Sequence, residues 1–159
     1  MTRRICIVYD CDGDWAAAWR AVVEPATVVE AHSAGECRQA LAEHPAAWVA
    51  IEVPGAADMT AALDLLAEVE RGFPQAAAIA IVAPALRDAA ELPLRECGAR
   101  HVMSSRYELL AVATAARRHW ARLGDNLVSD SPPSLREQIL DRLPWGDSSG
   151  KNAVADDLS

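Results

Sequence analysis

Between Tyr9 and Asp14 the sequence reads Y-D-C-D-G-D, and Glu52 lies near the end of the apolar run A-W-V-A-I-E-V. Carboxylates clustered around a thiol admit two kinds of chemistry. Their oxygens suit a hard divalent cation, whereas a thiol at the start of a helix acts as a nucleophile once its pKa falls. The second is disfavoured by the carboxylates, which hold a neighbouring thiol protonated. It is disfavoured also by Ala17, six residues after Cys11, where a phosphatase-type cysteine loop would carry Arg. Cys11 therefore reads as a thiol that packs its loop. Phosphate binding is disfavoured as well, because the loop is anionic and the chain contains no G-x-G-x-x-G, no G-x-x-x-x-G-K-[ST] and no hydroxyl-rich phosphate loop. Asp10, Asp12 and Glu52 are left as carboxylates that meet at one pocket, where they repel one another with no Lys before Lys151 to compensate.

The elements that position these residues are written in the period of the apolar pattern. Five short β-branched runs, Arg4–Tyr9, Ala26–Ala31, Ala47–Val53, Ala77–Ala83 and His101–Ser104, read as strands covered on both faces. Between them the period becomes helical. Trp15, Trp19, Val22 and Val23 share one face, as do Leu109, Val112, Ala113, Ala116, Trp120 and Leu123. Pro25, Pro45 and Pro74 each fall just before a strand, and Gly98 stands where a helix ends in a left-handed residue. Strands alternating with helices predict an α/β fold with a doubly wound, five-stranded parallel sheet of flavodoxin-like type. Its functional site lies outside the carboxyl ends of the strands, so the acidic loop and Glu52 stand where such a fold does its chemistry. The Trp15 and Trp19 pair reads as core. His32, His44, His101 and His119 share no spacing and read as surface or capping residues, and Arg117, Arg118 and Arg122 read as the last turns of the final helix.

In length and element order residues 3–123 resemble the receiver domain of bacterial response regulators. The echoes are I-C-I-V-Y-D at the first strand, Val53-Pro54-Gly55 after the third, and E-C-G-A-R-H-V-M-S-S around the fifth, with Gly98-Ala99 the best match. The final helix starts near Arg106. In that family two acidic residues after the first strand bind Mg²⁺, an Asp ending the third strand accepts a phosphoryl group, a Ser or Thr ends the fourth strand and a Lys ends the fifth. Carried over, the acidic pair falls on Tyr9 and Asp10, with Asp12 as a substitute for the missing member. The acceptor falls on Ala50 if counted from Pro54 and on Glu52 if placed by the strand end; neither is Asp. The hydroxyl falls on Ala83 and the Lys on Ser105. Phosphoryl transfer needs a positioned nucleophile, a metal to neutralise the transferring oxygens and a group to hold the product. Glu52 is one methylene too long, Ala83 cannot donate and Ser105 carries no charge. The resemblance therefore implies a degenerate, non-catalytic pseudo-receiver that is not phosphorylated and acts through protein–protein interaction in bacterial signalling or regulation. Glu52 reads as a partly solvated carboxylate at a strand end, or as a fixed negative charge standing where a phosphoryl group would.

Charge narrows the partners. The chain of 159 residues has a net charge of −8, which opposes binding to nucleic acids and anionic membranes. The longest apolar run, Ala76–Leu86, contains Pro84 and falls short of a bilayer span. Only five apolar residues follow Arg3 and Arg4 before Asp10, too few for a secretion signal, so a cytoplasmic location is expected. Cys6, Cys11, Cys37 and Cys97 form no C-x-x-C pair and read as buried thiols. No cofactor and no metal is assigned. The alternative is a small flavodoxin-like metal- or ligand-binding domain or enzyme that uses the acidic pocket. It would need further ligands after the fourth and fifth strands, where no His or Asp stands.

The domain boundary is placed near Leu123, leaving 124–159 as an acidic linker and tail. Gly124-Asp125-Asn126, Ser131-Pro132-Pro133 and Asp147-Ser148-Ser149-Gly150 have turn or linker composition. These residues are too few to form a DNA-binding output domain. Within the tail, Ser134 with Glu137 forms a capping box and Pro144 closes a short helix near 134–143. Leu135, Ile139 and Leu143 form an apolar stripe, extended by Trp145. Burying these side chains yields about 6–10 kcal/mol, and ordering the segment costs about as much. The helix is therefore expected to form only when docked, on its own domain or on a partner. Interaction is assigned to the final domain helix and this stripe, with a protein partner; a homodimer is one such arrangement.

Overall fold

The computed structural model describes residues 3–129. The stripe of Leu135, Ile139, Leu143 and Trp145, and the helix near 134–143, lie outside the described residues. Five strands, β1 (Ile5–Tyr9), β2 (Thr27–Ala31), β3 (Trp48–Val53), β4 (Ala77–Val82) and β5 (Ala99–Met103), form one parallel sheet in the order β2-β1-β3-β4-β5. The helices are α1 (Asp14–Val22), α2 (Ala34–Glu43), α3 (Met59–Gly72), α4 (Arg87–Glu96) and α5 (Leu109–Ser129). Short 3₁₀ turns precede the last three. This is the doubly wound α/β fold that the alternating pattern predicts.

Side chains alternate across a strand, and both faces of this sheet are covered. Ile5 and Ile7 of β1, Val49, Ile51 and Val53 of β3, and Ala78, Ala80 and Val82 of β4 face α2, α3 and α4. Cys6, Val8, Trp48, Ala50, Ile79 and Ile81 face α1 and α5. Every residue of β4 is buried, as is every residue of β1 before Tyr9. That is why these strands read as continuous apolar runs rather than alternating ones.

The structure departs from the sequence reading in places that have physical causes. Strand β5 begins at Ala99, two residues earlier than expected. Ala78 pairs with Ala99 and Ile79 with His101, so Arg100 is the extra residue of an irregularity. A charged, exposed residue at that point hides the strand start from an apolar-run criterion. Gly98, at φ 112°, turns the chain into β5, and a Cβ there would meet Glu70 Cβ at 3.0 Å. Helix α5 runs through Gly124, Asp125 and Asn126 to Ser129, where turn composition predicted a linker. One Gly costs a helix about 1 kcal/mol, too little to stop one already packed along its length. The compact unit ends at Asp125. Arg117, Arg118 and Arg122 consequently lie inside α5 rather than in its last turns. Of the cysteines, Cys6 and Cys37 are buried, but Cys97 is only partly so and Cys11 is exposed. Among the described residues no helix is long and apolar enough to cross a membrane.

His119 is not a surface residue. It is 8% exposed, its Nε2 lies 3.2 Å from the Ala46 carbonyl oxygen, and its ring stands 5.8 Å from that of Trp48. His101 approaches the same indole at 6.3 Å. Burial, then the positive charges of Arg100 and Arg122, push the pKa of His119 down against the bond to Ala46. Burial, then Arg95 and Arg100, push down that of His101. Both groups bind protons more readily in the unfolded chain, so stability is full above their unfolded value near 6.5 and declines as pH falls through it. Melting temperature should therefore drop between pH 7 and pH 5. His119→Gln, which keeps a donor for Ala46 but does not titrate, should flatten that drop. An equal drop in the variant would show that the acid sensitivity resides elsewhere.

Candidate functional site

Asp10 follows β1 directly and is 1% exposed. Its Oδ2 accepts hydrogen bonds from the backbone N–H groups of Trp15 at 2.9 Å and Ala16 at 3.1 Å. These are unpaired donors of the first turn of α1, where a carboxylate also meets the positive end of the helix dipole. The formal cap, Gly13, sits at φ 77° and offers no side chain. Asp10 thus does from the strand end what an N-cap residue does from within the helix. Its other oxygen, Oδ1, is buried without a partner among the described residues.

Glu52, near the end of β3, is half-buried and its Oε2 accepts from Cys11 N–H at 2.9 Å. Asp10 and Glu52 each turn toward backbone donors, and Asp12 is exposed on the loop between them. Partial desolvation and then the charges of Glu52, Asp12, Asp58 and Asp10 push up the pKa of the Cys11 thiol, so it remains protonated and is a poor nucleophile. Among the described residues no three His, Cys, Asp or Glu side chains converge to hold a metal ion.

At the other strand ends the pocket positions have been put to structural use. Ala83 follows β4 and leads into the turn Pro84–Leu86, presenting only a methyl group. Ser105 caps the turn Arg106–Glu108: its Oγ accepts from Tyr107 N–H at 3.2 Å, and Glu108 Oε2 accepts from Ser104 N–H at 2.9 Å and Ser105 N–H at 3.1 Å. Sequence reasoning missed three participants here. Arg87, at the start of α4, donates through Nη1 to Ser104 Oγ at 3.1 Å and to Glu108 Oε1 at 2.6 Å. Burial works to raise the pKa of Glu108, but the bonds from Ser104 N–H, Arg87 and Ser105 N–H outweigh it and hold the carboxyl below its usual range. The spacing Ser105-x-x-Glu108 is a readable capping box; nothing in the sequence marks Arg87 as its partner. The missed Arg106 stacks on Trp15, with its guanidinium 5.6 Å from the ring centroid and Nη2 3.9 Å from Asp14 Oδ2. Trp15 is accordingly a half-buried platform for Arg106, while Trp19 is core.

This arrangement joins the loops after β1, β3 and β5 and the start of α4 through protein groups alone. Within it the Cys11 thiol is held protonated, Arg87 is engaged by Ser104 and Glu108, and Arg106 lies against Trp15 and Asp14. No protein-family model matches the sequence, and no curated protein does. Solved structures do match the fold. A response regulator from Thermotoga maritima superposes with a TM-score of 0.63 at 16% identity, covering 74% of this chain and 97% of its own. A CheY-like protein, TadZ, from Pseudomonas aeruginosa PAO1 gives 0.60 at 17% identity, covering 74% and 99%. A response regulator receiver domain protein from Clostridium thermocellum gives 0.57 at 18% identity, covering 76% and 98%. The chain has the fold of the CheY-like receiver domains of response regulators.

Proposed function

We propose that this chain is a pseudo-receiver, a non-catalytic domain that works without phosphorylation by binding other proteins in bacterial signalling or regulation. The observation that carries this reading is the end of β3. The carboxylate there belongs to Glu52 and is already bonded to Cys11 N–H. Two further features support it. Ala83 offers no hydroxyl, and Ser105 uses its oxygen as a helix cap. A phosphoryl group placed among these residues would meet Asp10, Asp12 and Glu52 with no cation to neutralise it. With a small-molecule phosphodonor and Mg²⁺, intact mass should stay unchanged; a gain of about 80 Da, one phosphoryl group, lost on alkaline treatment would overturn the reading.

One observation favours a second reading, a divalent-cation site: the buried Oδ1 of Asp10 has no partner among the described residues. The two readings separate at Glu52. If its carboxylate serves only to hold the Cys11 amide, Glu52→Gln keeps an acceptor and should melt within about a degree of the parent. Glu52→Ala should lose about 0.5–1.5 kcal/mol. Mg²⁺ should move none of the three melting curves. A rise in melting temperature with Mg²⁺ that vanishes in Glu52→Gln would establish the cation site, because a ligand that binds only the native state must stabilise it.

A further inference from the structure

Four carboxylates meet around Cys11 at the carboxyl ends of β1 and β3. The charges of Glu52, Asp12, Asp58 and Asp10 all act on its thiol, Glu52 holds its N–H, and Asp58 donates its own N–H to the Gly55 carbonyl oxygen in the turn after β3. The group is graded in depth. Asp12 and Asp58 are exposed, Glu52 is half-buried and Asp10 is buried. Tyr9 flanks them: burial, then the charges of Cys11, Cys37 and Asp58, push its hydroxyl pKa up. None of the four carboxylates takes part in an ion pair among the described residues. The arginines around the strand ends are engaged elsewhere, Arg20 with Glu30, Arg87 with Ser104 and Glu108, and Arg106 with Asp14 and Trp15. Residues 3–129 contain no Lys. At the deep end, Asp10 Oδ1 is buried without a hydrogen-bond partner among the described residues. Leaving such an oxygen unbonded is costly, so it marks the place of a donor that the described chain does not supply.

We propose that this cleft, rimmed by Asp12 and Asp58 with Glu52 and Asp10 deeper in it, receives a basic side chain from a cationic segment of a partner protein. This assignment rests on reading the domain as a protein-binding module and names the chemistry of what it binds. The arrangement of the acceptors selects the donor. A divalent ion needs several oxygens converging on one point, and among the described residues no three such side chains do so; one oxygen of Glu52 is already engaged by Cys11 N–H. An ammonium or guanidinium group needs only separate acceptors. Its apolar stem can lie along an aromatic ring such as Tyr9 while the charge reaches the carboxylates. The net charge of −8 steers a cationic partner toward the chain, and the paired charges then fix its register.

The test is fluorescence anisotropy with the full-length chain and a labelled synthetic peptide in which Lys and Arg alternate with Ala. A second peptide has Gln in place of the basic residues. The basic peptide should bind at least about tenfold more tightly than the Gln peptide. Asp12→Asn with Asp58→Asn should weaken it about tenfold, while Asp64→Asn with Glu96→Gln, which removes the same charge from α3 and α4, should leave it within about twofold of the parent. Both rim residues are exposed, so their double variant should melt close to the parent. Asp10→Asn keeps an acceptor for the Trp15 and Ala16 N–H groups and puts an amide donor where Oδ1 stands, so it should weaken the peptide as well. A carbodiimide, which joins an amine to a carboxylate in contact with it, should link the peptide to Asp12 or Asp58.

Equal binding of the two peptides, indifference of the rim pair, an equal loss in the α3 and α4 pair, or crosslinks spread over other carboxylates would overturn the proposal. So would displacement of the peptide by Mg²⁺ at constant ionic strength, which would give the cleft to a metal ion. A crosslink formed without peptide between Lys151 and Asp12 or Asp58 of one chain, and lost in Lys151→Gln, would overturn it too, because the occupant would then be the chain's own tail. Uptake of a phosphoryl group would overturn the pseudo-receiver reading whatever the peptide does. An unphosphorylated chain that ignores the peptide overturns only the assignment of this cleft.

Discussion

The buried carboxylate of Asp10 is the group on which the strand-end geometry depends. A parallel sheet delivers each strand end to a loop that must turn into a helix, and the first turn of that helix has unpaired N–H groups. In α1 the formal cap is a glycine with no side chain, so Asp10 supplies the acceptor from the end of β1. Taking a carboxylate out of water costs several kcal/mol unless it is well bonded, and here two backbone amides and the helix dipole offset that cost. With Asp10 held in this way, Cys11 presents its N–H to Glu52, and the loop after β1 is tied to the end of β3.

The same logic extends across the top of the sheet. Arg106 reaches from the β5–α5 connection to Trp15 and Asp14 of α1, and Arg87 reaches from α4 to Ser104 and Glu108. Each tie joins elements far apart in sequence, so each restrains the motion of one loop relative to another. The bond between Arg87 and Glu108 is charge-assisted and shared with two backbone amides, which makes it stronger than an isolated surface pair. These ties are the geometric support for the proposed reading of the domain as one that works without phosphorylation.

Much of this was legible beforehand. The β-branched runs and the helical spacing between them determine five strands and five helices, because a strand buried on both faces must be apolar throughout, as in Ala77–Val82, and a helix packed on one face must repeat near 3.6 residues. Glu52 and the acidic loop were recognisable because a parallel sheet places its functional groups at the carboxyl ends of the strands. Ala83 and Ser105 were legible as a position without a hydroxyl and a position without a charge, since that follows from residue type alone.

Only the tertiary structure decided what these groups do. Composition counts the charges of Asp10, Asp12 and Glu52 but cannot show which backbone donors Asp10 and Glu52 face. Arg87 has Glu91 as a neighbour on its own helix, but its partners at the strand end lie 17 and 21 positions away and leave no local signal. His119 looked like a surface residue because its burial depends on Trp48 and Ala46, brought to it by the packing of α5 on β3. The start of β5 was concealed by Arg100, whose exposure in an irregular pairing is a property of the sheet and not of the segment. Local pattern determined which elements form, because propensity and amphipathicity act over a few residues. The partners of each polar group were decided by contacts across the fold, where the free energy of a buried charge depends on neighbours that sequence order does not reveal.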